Sequence, residues 1–257
     1  MAKKKGIFFN KAEIEYVKNC EEKAKKFYDY KNLADALADP RPTDLISSSD
    51  KEWAGKIYMN AEKKAQNYME LENLGVSLAV RLGDQGWAQK VFKKAEEKAQ
   101  RDDDFRSLAG ILIKTLDDKE WAKKVYKKAL GKADDMTDYG GFVEEITEKL
   151  GSDKLLKEIY KKWESNAENA QHFRCLAESI CENLEDKEWS KKIYKKSEGK
   201  AEVSYDYKQL ADSLSTFLED KNWAKKVYEK ALKLTKKDKE CDEDDIAEIK
   251  EKLEGLG

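Results

Sequence analysis

The sequence predicts an all-α protein of about seven antiparallel helix hairpins that follow one another every 34 residues. A twelve-residue segment, DKEWAKKVYKKA at 118–129, recurs in closely similar form at 50–61, 84–95, 186–197 and 220–231. Apolar side chains recur at helical spacing, and this argues against disorder because a regularly spaced apolar pattern can be buried. The chain has 40% charged residues and two prolines, a composition that favours exposed helices.

Each recurring segment is expected to open a helix. Its tryptophans fall on a 34-residue grid, with leucine at one point: Trp53, Trp87, Trp121, Leu155, Trp189 and Trp223. Three residues before each grid point stands a residue whose side chain can cap a helix N-terminus. These residues are Asp50, Asp84, Asp118, Ser152, Asp186 and Asp220.

A second helix is expected between consecutive grid helices, because a second set of apolar residues recurs there with the same period. In one repeat this set is Tyr139, Phe142, Val143 and Ile146. Two amphipathic helices in 34 residues form an antiparallel hairpin, and neither helix can bury its apolar stripe without a neighbour. The corresponding residues elsewhere are Tyr30, Leu33, Ala34 and Leu37; Leu71, Leu74, Gly75 and Leu78; Phe105, Leu108, Ala109 and Leu112; Phe173, Leu176, Ala177 and Ile180; and Tyr207, Leu210, Ala211 and Leu214.

This pattern resembles the tetratricopeptide repeat (TPR) family. The large, large, small, large order of the second set is similar to the first TPR helix, and Ala122, Tyr126 and Ala129 match the small, aromatic, small spacing of the second. The resemblance covers nearly the whole chain and implies a right-handed α-α superhelix, or solenoid. The sequence departs from the family in two ways: its connections differ by one residue, and the customary proline after the second helix is absent.

The ends and one insertion divide the chain. We expect a divergent N-terminal repeat or cap at 1–39, an inserted loop at 40–49 with seven additional residues, TPR-like repeats at 50–236, and an acidic connection with a C-terminal capping helix at 237–257. The loop is either functional or a tolerated surface insertion. The acidic connection is expected to be solvated, with a cation-binding loop as the weaker alternative. In the fourth repeat, Leu155 replaces the tryptophan, Leu156 replaces alanine and Trp163 takes the place of a small residue, and we expect altered curvature near 155–176.

Composition narrows the function. The 51 basic and 53 acidic residues nearly cancel, so we expect neither nucleic-acid binding nor membrane insertion. The four cysteines and the single histidine, His172, lack zinc-site spacing. No converging catalytic group is apparent, so we expect no catalytic residue, cofactor or metal. Reduced cysteines and the lack of an apolar run of signal-peptide length indicate a cytoplasmic chain.

The TPR resemblance implies a concave groove for a partner peptide or helix. The residues that it places there are Met69, Glu72, Val76, Ala79, Val80, Arg106, Gly110, Ile113, Lys114, Glu144, Arg174, Glu178, Tyr205, Lys208 and Asp212. We expect a partner to bind first at Val76, Val80 and Ile113, while Arg106 and Arg174 orient acidic groups. The alternative is that several of these residues only pack between repeats. The asparagine and lysine pattern of the family's carboxylate-clamp members is absent.

The sequence thus predicts a non-enzymatic scaffold or adaptor that binds another protein. The alternative is a structural protein that forms a homo-oligomer through its terminal repeats. The grid helices also carry lysine pairs such as Lys123 and Lys124, or Lys191 and Lys192. Such a stripe either is solvated and balanced by neighbouring glutamates or meets an acidic surface.

Overall fold

A computed structural model describes residues 10–39, 49–133, 136–237 and 243–256, without the side chains of 136–138. Within these residues every regular element is helical, as the sequence predicts. The chain forms two compact units, Met1–Ala133 and Asp134–Gly257. The predicted loop at 40–49 lies outside the described residues except for Ser49, and the acidic connection lies outside them at 238–242.

Unit 1 contains seven α-helices in its described part. They are α1 (Lys11–Lys23), α2 (Phe27–Ala38), α3 (Lys51–Lys64), α4 (Tyr68–Ser77), α5 (Gln85–Lys98), α6 (Asp102–Leu116) and α7 (Lys119–Lys132). Helix α4 continues directly into a π-helical turn, Leu78–Leu82.

Unit 2 also contains seven α-helices among its described residues. They are α8 (Met136–Lys149), α9 (Asp153–Asn166), α10 (Ala170–Leu184), α11 (Lys187–Lys200), α12 (Ser204–Thr216), α13 (Lys221–Thr235) and α14 (Glu243–Glu254). The odd-numbered helices α3 to α13 are those that the recurring segment opens, and we call them the grid helices; α2 to α12 are the even helices.

The helices pack as hairpins in which an even helix precedes a grid helix. The pairs with the most extensive packing are α2–α3, α4–α5, α6–α7, α10–α11 and α12–α13, and α8–α9 also pack together. This order is the TPR order of first and second helix. The described part of the chain is therefore an all-α, TPR-like helical repeat, with α1 before the first hairpin and α14 after the last.

The predicted caps explain where the grid helices begin. The carboxylates of Asp50, Asp84, Asp118, Asp186 and Asp220 each accept from the backbone N–H of the tryptophan three residues later, at 2.9–3.0 Å. Ser152 is different, since its side chain accepts no cap hydrogen bond, although α9 still begins at Asp153. Asn169 caps α10, because its Oδ1 accepts from the amide of His172 at 2.9 Å, and the Nδ1 of His172 accepts in turn from the amide of Glu168 at 3.3 Å.

A left-handed residue ends each of five even helices. These residues have φ between 52 and 80° and recur every 34 residues: Gly83, Asp117, Gly151, Glu185 and Glu219. Where this residue is aspartate or glutamate, the backbone is strained, because a Cβ crowds the following carbonyl in this conformation. The hairpin turn is thus set by backbone geometry, and only two repeats use glycine for it.

The core of each unit consists of the predicted apolar stripes. Of the even-helix sets, every member is buried except Tyr30 and Tyr207, which are half-buried. The grid helices contribute a buried aromatic ring from each repeat: Tyr58, Phe92, Tyr126, Tyr160, Tyr194 and Tyr228. In the fourth repeat Trp163 is also buried, and its ring lies 6.0 Å from that of Tyr139 and 6.4 Å from that of Tyr160.

A repeated hydrogen bond joins neighbouring grid helices. The indole Nε1 of each of the five grid tryptophans donates to a glutamate of the preceding odd-numbered helix, at 2.8–3.4 Å. The pairs are Trp53 with Glu21, Trp87 with Glu62, Trp121 with Glu96, Trp189 with Glu164, and Trp223 with Glu198. We call these contacts the Trp–Glu ladder.

A lysine completes four of these contacts. Lys94, Lys128, Lys196 and Lys230 bind the glutamate of the same pair at 2.5–2.9 Å. The glutamate is thereby held between an indole and an ammonium group of the next grid helix. The lysine pairs of the predicted stripe are different residues; of these, Lys123 binds Glu120 at 2.7 Å and Lys191 binds Asp220 at 3.4 Å.

Candidate functional site

In unit 1 the even helices α2, α4 and α6 lie side by side and leave one surface to solvent. Two large apolar side chains are exposed there, Met69 at 62% and Val80 at 66%. Val80 belongs to the π-helical turn Leu78–Leu82, and such turns occur frequently at functional sites. We call this surface, formed by α4, its π-turn and α6, the unit 1 surface.

The other predicted residues of the unit 1 surface differ in exposure. Val76 and Ile113 are half-buried, and Lys114 is exposed. Ala79 is buried, at 5% exposure, so it supports the surface from beneath. The half-buried remainder consists of Glu72, Arg106 and Gly110.

Two of the charged residues are engaged within the unit. Glu72 accepts from the hydroxyl of Ser107 at 2.7 Å and from that of Tyr68, and so links α4 to α6. Arg106 lies 3.8 Å from Asp103 of its own helix. A partner that binds Glu72 would have to replace these internal contacts.

The sequence did not single out an ion cluster around Asp35. Its carboxylate accepts from the hydroxyl of Tyr58 and from Lys31, each at 2.7 Å, and Arg81 approaches to 3.6 Å. Arg81 follows Val80 in the π-turn, so the cluster ties that turn to α2. Asp35 shares its repeat position with Glu178 and Asp212, and this periodic acid was the signal available in the sequence.

Val76 occupies the same repeat position as Asp35, and it is matched by a change in the aromatic ring of the following grid helix. Where Val76 replaces the acid, the grid-helix ring is Phe92 and not tyrosine. A Cβ added at Gly75 would lie 2.4 Å from the Phe92 ring, so this ring fills the space beside Gly75. The loss of the acid and the loss of the hydroxyl are therefore matched, and no buried polar group lacks its partner in this pair.

In unit 2 the predicted residue Glu144 lines a cleft between α8 and α10. The cleft has a volume of about 400 Å³ and is bordered by Gly140, Val143, Glu144, Thr147, Glu148, Ser179 and Asn183. Its polar side chains are partly paired with each other, since the Thr147 hydroxyl contacts the Asn183 oxygen at 3.3 Å. The two glutamates give the cleft an acidic border.

The remaining predicted residues of unit 2 form internal ion pairs. Arg174 binds Glu178 at 2.6 Å, and Glu178 also accepts from the hydroxyl of Ser213 on α12. Burial opposes the charged form of Arg174, but the neighbouring groups, chiefly the Glu178 carboxylate, together outweigh burial and raise the pKa of the guanidinium. Tyr205 is 66% exposed and is available for contact.

The C-terminal helix contacts two predicted groove residues. Lys208 binds Glu248 of α14, and Asp212 accepts from Lys252 of the same helix as well as from the hydroxyl of Tyr228. Ile249 is buried at 1% exposure. Helix α14 therefore lies against α12 and α13 in the way that a capping helix would, and Lys208 and Asp212 already have partners.

Burial raises the pKa of several tyrosines and cysteines in the repeats. Burial raises the pKa of Tyr160 to about 12, and burial together with Asp35 raises the pKa of Tyr58. Burial also raises the pKa of the Cys175 and Cys181 thiols, which lowers their reactivity. No group of three metal-binding side chains occurs within the described ranges. The geometry is suited to recognition by apolar contact and charge.

Comparisons with known proteins add the following findings. No protein-family model and no curated protein matches the chain. The C-terminal part of a TPR repeat-containing protein from Cytophaga hutchinsonii matches with a TM-score of 0.35 and 18% identity, over 81% of this chain and 79% of that one. A circular tandem repeat protein with novel repeat topology matches with a TM-score of 0.15 and 12% identity, over 95% of this chain and 46% of that one. No helix in the part of the chain that the structure describes is long and apolar enough to cross a membrane.

Proposed function

We propose that this chain is a non-enzymatic scaffold or adaptor, which binds a peptide or helix of another protein on the unit 1 surface. The exposure of Val80 at 66% on the π-turn carries the proposal. A β-branched side chain at the surface of an irregular turn, which Arg81 fastens to α2, is held ready for an apolar contact and needs little ordering on binding.

The partner should present apolar side chains at spacings that reach both Met69 and Val80. These residues are eleven positions apart, close to three helical turns or about 16 Å along a straight helix. A helix with apolar residues on one face, or an extended peptide, covers such a distance. Lys114, exposed on the neighbouring α6, would favour an acidic residue beside the apolar anchors.

The function can be tested by selecting peptides from a random display library against the full chain. We expect the selected peptides to bind the natural chain and to bind Val80→Glu at least about tenfold more weakly, because a carboxylate would be desolvated at the contact. Met59→Glu is the matched control, since Met59 is also exposed, at 52%, but lies on the grid helix α3. Equal losses in the two variants, or no loss in Val80→Glu, would contradict the proposed site.

The same experiment can be repeated with Ile113→Glu to test whether α6 takes part.

Self-assembly through the terminal repeats is the competing function. The outer face of α14 is charged, with Glu243, Lys250 and Glu254 exposed, and this opposes endless stacking. Light scattering after size-exclusion chromatography separates the two, because self-assembly requires a mass that rises above 29.7 kDa with concentration.

A further inference from the structure

Three of the six grid helices carry a strong excess of positive charge. Helix α7 has six lysines and one glutamate, α11 has six lysines and two glutamates, and α13 has five lysines and one glutamate. The chain as a whole has a net charge of -2. Its charges are therefore segregated, with cations concentrated on the exposed faces of these grid helices.

The Trp–Glu ladder accounts for only part of this charge. It neutralises one lysine in each of four repeats, as in Lys94 with Glu62 and Lys230 with Glu198. Other lysines on the same helices are exposed and form no ion pair within the described residues. In unit 1 these include Lys90, Lys93 and Lys124, and in unit 2 they include Lys192, Lys195, Lys225 and Lys226. We call each set the lysine face of its unit.

The chemistry of the lysine faces is specific in one respect. All five arginines of the chain lie outside the grid helices, at positions 41, 81, 101, 106 and 174. Arginine is the side chain that recognises single phosphates or bases by paired hydrogen bonds, whereas lysine acts as a mobile point charge. A face with lysine alone is suited to a diffuse layer of negative charge.

The aromatic and apolar side chains of this region favour lipid over nucleic acid. The grid tryptophans are half-buried, and the indole nitrogen of Trp87, for example, is bound to Glu62, so they are not free to stack on bases. Met59 of α3 is 52% exposed and stands at the repeat position of Lys93. An apolar side chain beside lysines is the combination found on protein surfaces that lie in the headgroup region of anionic membranes.

We propose that the lysine faces adsorb to anionic phospholipid surfaces. Binding is peripheral: the ammonium groups attract lipid headgroups, and in unit 1 Met59 enters the boundary between headgroups and acyl chains. Each lysine near such a surface strengthens binding by about fivefold. Raising the salt concentration weakens the attraction, because exposed charges are screened.

Sedimentation of the full chain with vesicles tests this proposal. We expect binding to vesicles that contain phosphatidylserine and no binding to vesicles of phosphatidylcholine alone. The variants Lys90→Glu with Lys93→Glu and Lys124→Glu, and Lys192→Glu with Lys195→Glu and Lys226→Glu, should each bind more than about tenfold more weakly. Met59→Glu should also weaken binding, although it leaves peptide binding at Val80 unchanged.

The matched control carries the same change of charge elsewhere: Lys25→Glu with Lys26→Glu and Lys114→Glu. These lysines are exposed but lie in the α1–α2 connection and on α6, so this variant should bind vesicles like the natural chain. If this control weakens vesicle binding as much as the lysine-face variants do, binding depends on the net charge of the chain and not on these faces, and the proposal is overturned. Absence of vesicle binding would also overturn it, and binding to double-stranded DNA without vesicle binding would assign the faces to nucleic acid instead.

Discussion

The indole Nε1 of Trp87 donates to the Glu62 carboxylate across two neighbouring grid helices, at 2.8 Å, and Lys94 binds the same carboxylate at 2.6 Å. The contact fixes the lateral position of α5 against α3, because a partly buried donor and a charged acceptor must stay in line. Its repetition through the ladder accounts for the tryptophan of the recurring segment and for the lysine at Lys94, Lys128, Lys196 and Lys230. At the fourth repeat position, Leu130 and Leu155 replace the acceptor and the donor together.

Replacement of Glu62 by alanine should lower the free energy of unfolding by about 1–3 kcal/mol, because the partly buried indole N–H of Trp87 loses its acceptor. The matched control is Glu97→Ala on α5, which removes an exposed glutamate and should change stability by less than about 0.5 kcal/mol. Urea unfolding followed by circular dichroism measures both.

A double-mutant cycle separates the interaction energy of Trp87 with Glu62 from the effect of replacing each side chain alone. The variants Glu62→Leu, Trp87→Leu and their combination introduce the residue type that stands at both repeat positions in Leu130 and Leu155. The combined loss should be smaller than the sum of the two single losses by about 1 kcal/mol, because residues in direct contact do not act independently. Simple additivity would mean that the ladder contact contributes nothing to stability.

The seven-residue insertion before α3 preserves one backbone contact of the hairpin turn. In regular repeats the amide of the capping aspartate donates to a carbonyl six residues earlier, as Asp84 does to Leu78 at 2.9 Å. Asp50 makes the same contact with Leu37 at 2.8 Å, although thirteen residues separate them. Ser49 adds a bond from its hydroxyl to the Ala38 carbonyl at 2.8 Å.

Deletion of residues 40–46 should therefore leave the chain folded, with a stability equal to that of the natural chain or higher by a few tenths of a kcal/mol, since a shorter loop costs less entropy to close. It restores the six-residue separation between Leu37 and Asp50. Deletion of 40–47 is the sharp control, because a separation of five residues cannot form the same bond. Thermal unfolding measures both variants. If the two deletions change the melting temperature equally, the bond between Asp50 and Leu37 does not limit how short this loop can be.

The repeat, the grid-helix starts and the core were predictable because they depend on local periodicity. A cap such as Asp84 can be recognised in the sequence because Trp87 follows it three residues later. The burial of the apolar side chains follows from their helical spacing. The hairpin partners followed from the order of large and small residues in the even helices.

The side-chain contacts of the candidate site were not predictable to the same degree. The π-turn that holds Val80 has no distinct sequence pattern, since it results from packing that overrides the ordinary helical hydrogen bonds. The burial of Ala79 and the pairing of Lys208 with Glu248 depend on residues far apart in sequence. A family position marks where a side chain lies on its helix, but only packing decides whether that side chain is free to bind.

The left-handed turn residues supply a stability prediction. Glu185 has φ of 52°, and replacement by glycine removes the strain of its Cβ, which amounts to about 1–2 kcal/mol, but also loosens the unfolded chain by about 0.5–1 kcal/mol. We expect Glu185→Gly to raise the free energy of unfolding by up to about 1 kcal/mol. Glu182→Gly, at an exposed position inside α10, should lower it by a similar amount. A loss in both variants would argue against strain at Glu185.

The start of α6 supplies a pH prediction. Burial opposes ionisation of Asp104, but hydrogen bonds from the amides of Gln100 and Arg101 outweigh it and lower the pKa of the carboxyl. A carboxyl whose pKa is lower in the folded state stabilises the fold above its unfolded pKa of about 3.9, and this stabilisation disappears as the pH falls through the folded value. Asp104→Ala should therefore cost about 1 kcal/mol at pH 7 and progressively less below about pH 4.

The uncharged cap of α4 is the control for this pH dependence. Asn67 accepts from the amide of Glu70 at 3.0 Å, and its side chain does not titrate. Asn67→Ala should therefore lower stability by a similar amount at every pH. Urea unfolding of both variants at several pH values gives the comparison, and a loss in Asp104→Ala that stays constant down to the most acidic value would show that its charge is irrelevant. Such a result would assign the whole contribution of Asp104 to hydrogen bonding by its neutral form.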